Sequence, residues 1–100
     1  MKRVYIAGPY TSNPCANTHR VIKVADQLLE KGFIPFVPHL NLFWDCISPK
    51  PEKVWLEYDW KWLEVCDCVL RLDGKSPGAD NEIKIADRLN IPVYYKIEDL

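Results

Sequence analysis

A chain of 100 residues, 48% hydrophobic and 27% charged, has enough apolar material for one core and too little for two, so residues 1–100 are expected to form a single domain. A net charge of -1 offers no electrostatic footprint for a nucleic-acid polymer or an anionic membrane, and neither is an expected partner. No apolar run reaches a membrane span, and the start MKRVYIAGPY has too short an apolar stretch for a secretory signal, so a cytoplasmic location is expected.

In chain order, Val4-Tyr5-Ile6-Ala7 is a short buried-strand pattern ended by Gly8-Pro9. Thr11-Ser12-Asn13-Pro14 then supplies cap residues and a proline suited to a first helical turn. Val21, Val24, Ala25, Leu28 and Leu29 form the stripe of an amphipathic helix, which Gly32 is placed to end. Phe33 to Val37 reads as a second strand, pushed towards a sheet edge by Pro35. From Pro38 to Pro51 the pattern is irregular and proline-bearing, and a loop of about fourteen residues is expected.

A second long helix is expected from Glu52 to Val65, with Val54, Trp55, Tyr58, Trp62 and Val65 on its apolar side. Cys68 to Leu72 is a third strand, and Asp73 to Gly78 a turn-rich loop. Ala79 to Leu89 is a third helix that Asn90 can cap, and Pro92 to Tyr95 is a last strand. The four cysteines, Cys15, Cys46, Cys66 and Cys68, are expected to be reduced and buried. Cys66-Asp-Cys68 lacks the spacing of a zinc knuckle, and His19 and His39 fit no ligand spacing, so no metal and no cofactor is expected.

Alternation of this kind predicts a three-layer α/β fold of the flavodoxin/Rossmann-like type, with a short parallel sheet of four strands in the order 2-1-3-4. Ligands in such sheets bind beyond the carboxyl ends of the strands, at the switch point between strands 1 and 3. That rule selects Gly8 and Pro9 after strand 1, His39 after strand 2, and the loop with Ser76 and Gly78 after strand 3. His39, Trp44 and Asp45, in the long loop, are placed to cover a ligand bound there.

Glu82 is expected in the first turn of its helix, where the dipole favours the ionised form. A capping box needs Ser or Thr three residues earlier, and Ala79 stands there, which weakens the ordinary capping account. Asp59 is either a solvated helix-face residue or a carboxyl desolvated by its aromatic neighbours, and Tyr5 is by default a core tyrosine. Gly8 stands outside any phosphate-loop pattern, which argues against dinucleotide or NTP binding. A smaller phosphate at a helix N-terminus, helped by Ser76, stays open.

Four stretches belong together: VYIAGPY at the start, Asp59-Trp60-Lys61-Trp62-Leu63, Cys66-Asp-Cys-Val-Leu70, and Ser76-Pro-Gly-Ala-Asp-Asn-Glu82 followed by Ala86 and Pro92-Val93. On these the chain resembles the nucleoside 2-deoxyribosyltransferase-like superfamily, including its branch of deoxynucleoside 5'-monophosphate N-glycosidases. The AGPYT start, the PFVPHL-x-x-FWD stretch and the SPGAD-x-E loop look closest to a small branch of it. The resemblance implies Glu82 as nucleophile, Tyr5 as the tyrosine that orients it, Asp59 at the base and sugar side, and Ser76 as a polar group near the substrate. The implied reaction is cleavage or transfer of an N-glycosidic bond through a glycosyl-enzyme, on a small-molecule nucleoside or nucleotide. Pro9 and Thr11 depart from the serine and arginine with which monophosphate-hydrolysing members hold the phosphate. Two other classes compete with an enzyme: a non-catalytic nucleotide-binding module, and an assembly protein whose Trp55, Trp60 and Trp62 form an interface. A homo-oligomer, dimer or tetramer, is expected in either case.

Overall fold

The computed structural model describes residues 2–100. Its sheet has four parallel strands, β1 (Arg3–Ala7), β2 (Ile34–Phe36), β3 (Cys68–Arg71) and β4 (Val93–Tyr94), in the order β2-β1-β3-β4. The expected strand order holds, and Pro35 lies on an edge strand, paired with Val4, where its missing N–H costs no ladder bond on the outer side.

The period of two along each strand divides the core. Val4, Ile6, Cys68 and Leu70 face one side, where α1 (Pro14–Glu30) covers them with Val21 and Leu28. Tyr5, Ala7 and Val69 face the other, covered by α3 (Glu52–Val65) through Leu63 and by α4 (Pro77–Arg88) through Ala79 and Ala86. Leu70 is paired with Ile6 at the sheet centre and is 1% exposed. Leu70→Ala is expected to lower unfolding free energy by about 2–5 kcal/mol, read as a shifted denaturant midpoint at constant slope.

The helix ends follow local chemistry. Asn13 Oδ1 accepts from the Ala16 N–H (3.2 Å) with Pro14 at the first helical position, and Gly32 adopts φ +91° beyond the end of α1. Asn90, at φ +57°, plays the same part after α4. Leu29 departs from the expected stripe of α1 and is 60% exposed.

Two expectations need larger corrections. The segment expected as a loop forms a 3-10 turn at Pro38–Leu40 and a short helix, α2 (Asn41–Ile47). Leu40, Phe43, Trp44 and Ile47 carry helical spacing that the flanking prolines obscured. In α3 the expected apolar side of Val54, Trp55, Tyr58, Trp62 and Val65 is only partly covered, with Trp62 stacked on Phe36 of β2 at 5.3 Å. Only Leu63 is buried in this helix, while Val54, Trp62 and Val65 are 38–46% exposed. Trp55 and Tyr58 also meet α2, with Trp44 edge-on to them at ring separations of 5.1 and 5.5 Å. Of the cysteines, Cys66 and Cys68 are buried, but Cys15 and Cys46 are exposed, and all four are free thiols. No helix among the described residues is long and apolar enough to cross a membrane.

Candidate functional site

Beyond the carboxyl ends of β1 and β3, two loops press together. The Leu72 N–H donates to Ala7 O (2.8 Å), and a Cβ at Gly8 would meet Leu72 Cβ at 3.2 Å. Gly74, at φ +113°, lies against the Pro9 ring so closely that a Cβ there would come within 2.9 Å of it. Glycine is therefore required at 74 both by backbone conformation and by space. Arg71 ties the β3 loop to α4. Its guanidinium donates to Leu72 O, to Gly74 O (3.0 Å) and to Asp80 Oδ1 (3.0 Å).

These loops, α2, α3 and the start of α4 enclose a cleft of about 600 Å³, lined among others by Gly8, His39, Asn41, Asp59, Trp60 and Glu82. Ser76 caps α4: its Oγ accepts from the Ala79 N–H (3.1 Å), with Pro77 next in the chain. The helix therefore begins two residues earlier than expected, and Glu82 is its sixth residue, in the second turn. A capping role for Glu82 falls away, because the residue three places after the cap is Ala79.

Glu82 enters the cleft through a specific partner. The Tyr5 hydroxyl, on a fully buried side chain, donates to Glu82 Oε2. Burial, then the nearby Glu82 charge, holds the tyrosine well above its ordinary pKa, so it stays a donor. Tyr5 is braced in turn by stacking on Phe36 at 5.5 Å, and Phe36 on Trp62 at 5.3 Å. Burial dominates Glu82 as well and pushes its carboxyl up to about 7. The Tyr5 hydrogen bond and the Arg71 charge oppose that rise, and the Asp59 charge adds to it. The dipole expectation of a readily ionised acid is thus overturned, since desolvation outweighs it.

Asp59 faces Glu82 from α3. Asn41 Nδ2, from the first residue of α2, donates to Asp59 Oδ1 (2.7 Å). Burial raises Asp59 to about 7, with the Asn41 bond opposing. The solvated-face alternative for Asp59 does not hold, because its carboxyl lies in the cleft, half-buried and bonded to Asn41. Two carboxyl groups with upward-shifted pKa values therefore share one cleft and interact, so they titrate as a pair.

The other sequence candidates divide. Ser76 and Gly78 line the cleft at the mouth of α4, and Gly8 lines it from β1. His39 is buried: its Nε2 donates to Pro9 O (2.9 Å), burial lowers its pKa, and its Nδ1 has no partner among the described residues. Asp45 lines the cleft and accepts from the Trp55 indole (2.8 Å) and the Lys50 N–H (2.9 Å), which hold it below the usual carboxylate range. Pro9 and Trp44 stand outside the lining. Pro9 braces the β1 loop against Gly74, and Trp44 packs on Trp55 and Tyr58. Of the three tryptophans assigned to an interface, Trp55 and Trp60 turn to the cleft. Asn41 was missed because its segment read as loop, and Arg71 because it sits within a strand pattern. Among the described residues, no group of three or more His, Cys, Asp or Glu is disposed to hold a metal ion.

The raised carboxyls carry a stability cost with a definite sign. A group whose folded pKa is raised stabilises the fold fully below its unfolded value, and that contribution is lost as pH rises through the folded value. For Glu82 the window runs from about 4.5 to about 7. Glu82→Gln is expected to flatten this fall and to gain on the order of 2 kcal/mol over the native chain at pH 8. The difference between the two denaturation curves at pH 4 and pH 8 measures it.

Comparison with known proteins places this architecture. The family described as "Domain of unknown function (DUF7768)" matches residues 2–96. No curated protein matches the chain. Among solved structures, a 2-desoxiribosyltransferase from Leishmania mexicana is similar with a TM-score of 0.72 and 19% identity, over 93% of this chain and 62% of that one. A 2-deoxyribosyltransferase from the psychrotolerant bacterium Bacillus psychrosaccharolyticus is similar with a TM-score of 0.65 and 18% identity, over 95% of this chain and 75% of that one. This chain thus spans under two thirds of the Leishmania protein. At these identities the likeness is one of fold.

Proposed function

This chain belongs to the family described as a domain of unknown function (DUF7768), and from its cleft we propose that it cleaves or transfers the N-glycosidic bond of a nucleoside or nucleoside 5'-monophosphate. The observation that carries the proposal is the Tyr5–Glu82 hydrogen bond, in one cleft with an Asp59 whose pKa lies near neutrality. A nucleophilic carboxylate and a proton-bearing carboxyl are what glycosidic exchange needs. The fold shared with two 2-deoxyribosyltransferases supports the same reading.

We assign the roles from the Tyr5 contact. Burial raises both carboxyls to about 7, Glu82 against the Tyr5 hydroxyl and the Arg71 charge, Asp59 against the Asn41 amide. Tyr5 fixes one oxygen of Glu82, which makes Glu82 the oriented nucleophile and Asp59 the proton-bearing partner. With Oε2 held by Tyr5, Glu82 Oε1 attacks C1' of the sugar. The C1'–N bond breaks through an oxocarbenium-like transition state, its electrons leave with the base, and Asp59 gives its proton to the base directly or through one water. In the second step water, or a second base bearing N–H, attacks C1'. Its proton returns to Asp59 and the bond to Glu82 breaks, restoring both groups. The indoles of Trp55 and Trp60 supply apolar surface for a planar base.

Incubation of the purified chain with purine and pyrimidine nucleosides and their monophosphates, read by chromatography of free base, tests the proposal. Release of base from at least one of them is expected. Ligand-induced thermal stabilisation without base release would instead make this a binding module.

A further inference from the structure

The same cleft holds two further carboxylates that the reaction does not use, Asp45 and Glu52, and one cation among its lining residues, Lys50. The Lys50 ammonium donates to Ser48 Oγ (2.9 Å), and its backbone N–H to Asp45. His39 adds no positive charge near neutrality, since burial keeps its imidazole below the ordinary value. Arg71, the buried guanidinium at the end of β3, lies outside the lining and directs its hydrogen bonds to Leu72 O, Gly74 O and Asp80.

A helix mouth is the usual place for a phosphate in such a cleft, because several backbone N–H groups converge there. At α4 those donors are already committed. Pro77 has none, the Ala79 N–H goes to Ser76 Oγ, and the Asp80 N–H goes to Ser76 O (3.0 Å). The Gly78 N–H alone is left without a hydrogen-bond partner among the described residues. One neutral donor suits a hydroxyl and does not compensate a dianion in a cleft whose lining sets Asp45 and Glu52 against the one lysine.

We infer that this cleft selects an uncharged glycoside and rejects its 5'-phosphorylated form, with Asp45 and Glu52 as the specificity-determining charges. The inference rests on the glycosidic reading above and narrows it to unphosphorylated nucleosides. It also closes the alternative that the sequence left open, a small phosphate held at the α4 N-terminus with the help of Ser76, whose hydroxyl caps the helix instead. The rejection is electrostatic, so it weakens as salt screens the carboxylates.

Calorimetric titration of the full chain carrying Glu82→Gln, which binds without turning over, separates the possibilities. The probes are thymidine, deoxyadenosine and their 5'-monophosphates, each at low and high ionic strength. The nucleoside is expected to bind at least about tenfold more tightly than its monophosphate at low salt, with the ratio shrinking as salt is added. Adding Glu52→Lys, at an exposed position, is expected to narrow the ratio about fivefold, with Glu52→Gln giving a smaller change in the same direction. Equal or tighter binding of the monophosphate overturns this inference and leaves the glycosidic reading standing. So does a preference that neither salt nor Glu52→Lys alters, which would be steric. Binding of neither class of compound overturns both.

Discussion

Glu82→Ala is expected to lower base release by on the order of 10⁴-fold, the scale of loss when a nucleophile is removed and the remaining site still binds. The variant leaves the Tyr5 hydroxyl buried without its partner, at a cost of about 1–3 kcal/mol, and removes a desolvated carboxyl, which acts the other way. The two nearly offset, so the fold survives and the loss reads as chemistry. A thermal melt alongside the assay verifies this. Near-native turnover by a folded Glu82→Ala chain would remove Glu82 from the reaction.

Asp59→Asn is expected to cost about 10²–10³-fold in kcat/KM, the usual contribution of a positioned acid. It also carries a signature that general damage lacks. The native chain should show a narrow bell of activity centred near pH 7. Its acid limb reports ionisation of Glu82 and its basic limb loss of the Asp59 proton, both with values of about 7. Asp59→Asn removes the basic limb and leaves the acid one. Asn41→Ala keeps Asp59 but deletes the bond that lowers its pKa, so the basic limb moves to higher pH. A basic limb unchanged in both variants would sink the acid role.

Much of the fold was legible because its signals are local and redundant. Buried strands such as Val4–Ala7, the Asn13-Pro14 start and the turn glycine at 32 each state one conformation. Alternation with helices then leaves few topologies open. α2 was not legible, since Pro38, Pro49 and Pro51 mark a loop while Leu40, Phe43, Trp44 and Ile47 mark a helix over the same residues. How far the apolar side of α3 is buried was misjudged for a physical reason. Its Trp55 and Tyr58 pack on Trp44 of α2, a segment the sequence marks as loop, and only Leu63 is buried in the helix.

In the site, the geometric rule for parallel sheets was enough to select the strand ends that carry Gly8, His39, Ser76 and Gly78. The Tyr5–Glu82 contact, across 77 residues of chain, is not a spacing that any local pattern reveals. Nor could the sequence show that the α4 donors are used by Ser76. That depended on whether the helix begins at Pro77 or at Ala79, a shift of two residues. The same shift moved Glu82 from a dipole-stabilised first-turn acid to a desolvated carboxyl held by one hydroxyl.

The central claim is that Glu82 carries the sugar between the two steps. Incubation with a 2'-fluoro nucleoside, whose fluorine disfavours the oxocarbenium-like transition states of both steps, should let the intermediate accumulate. Acid quenching, proteolysis and mass spectrometry then locate it. The expected result is a fluorosugar ester on the peptide that contains Glu82, formed in step with released base and absent from Glu82→Gln. Release of base without any adduct, or an adduct on another residue, would contradict the account.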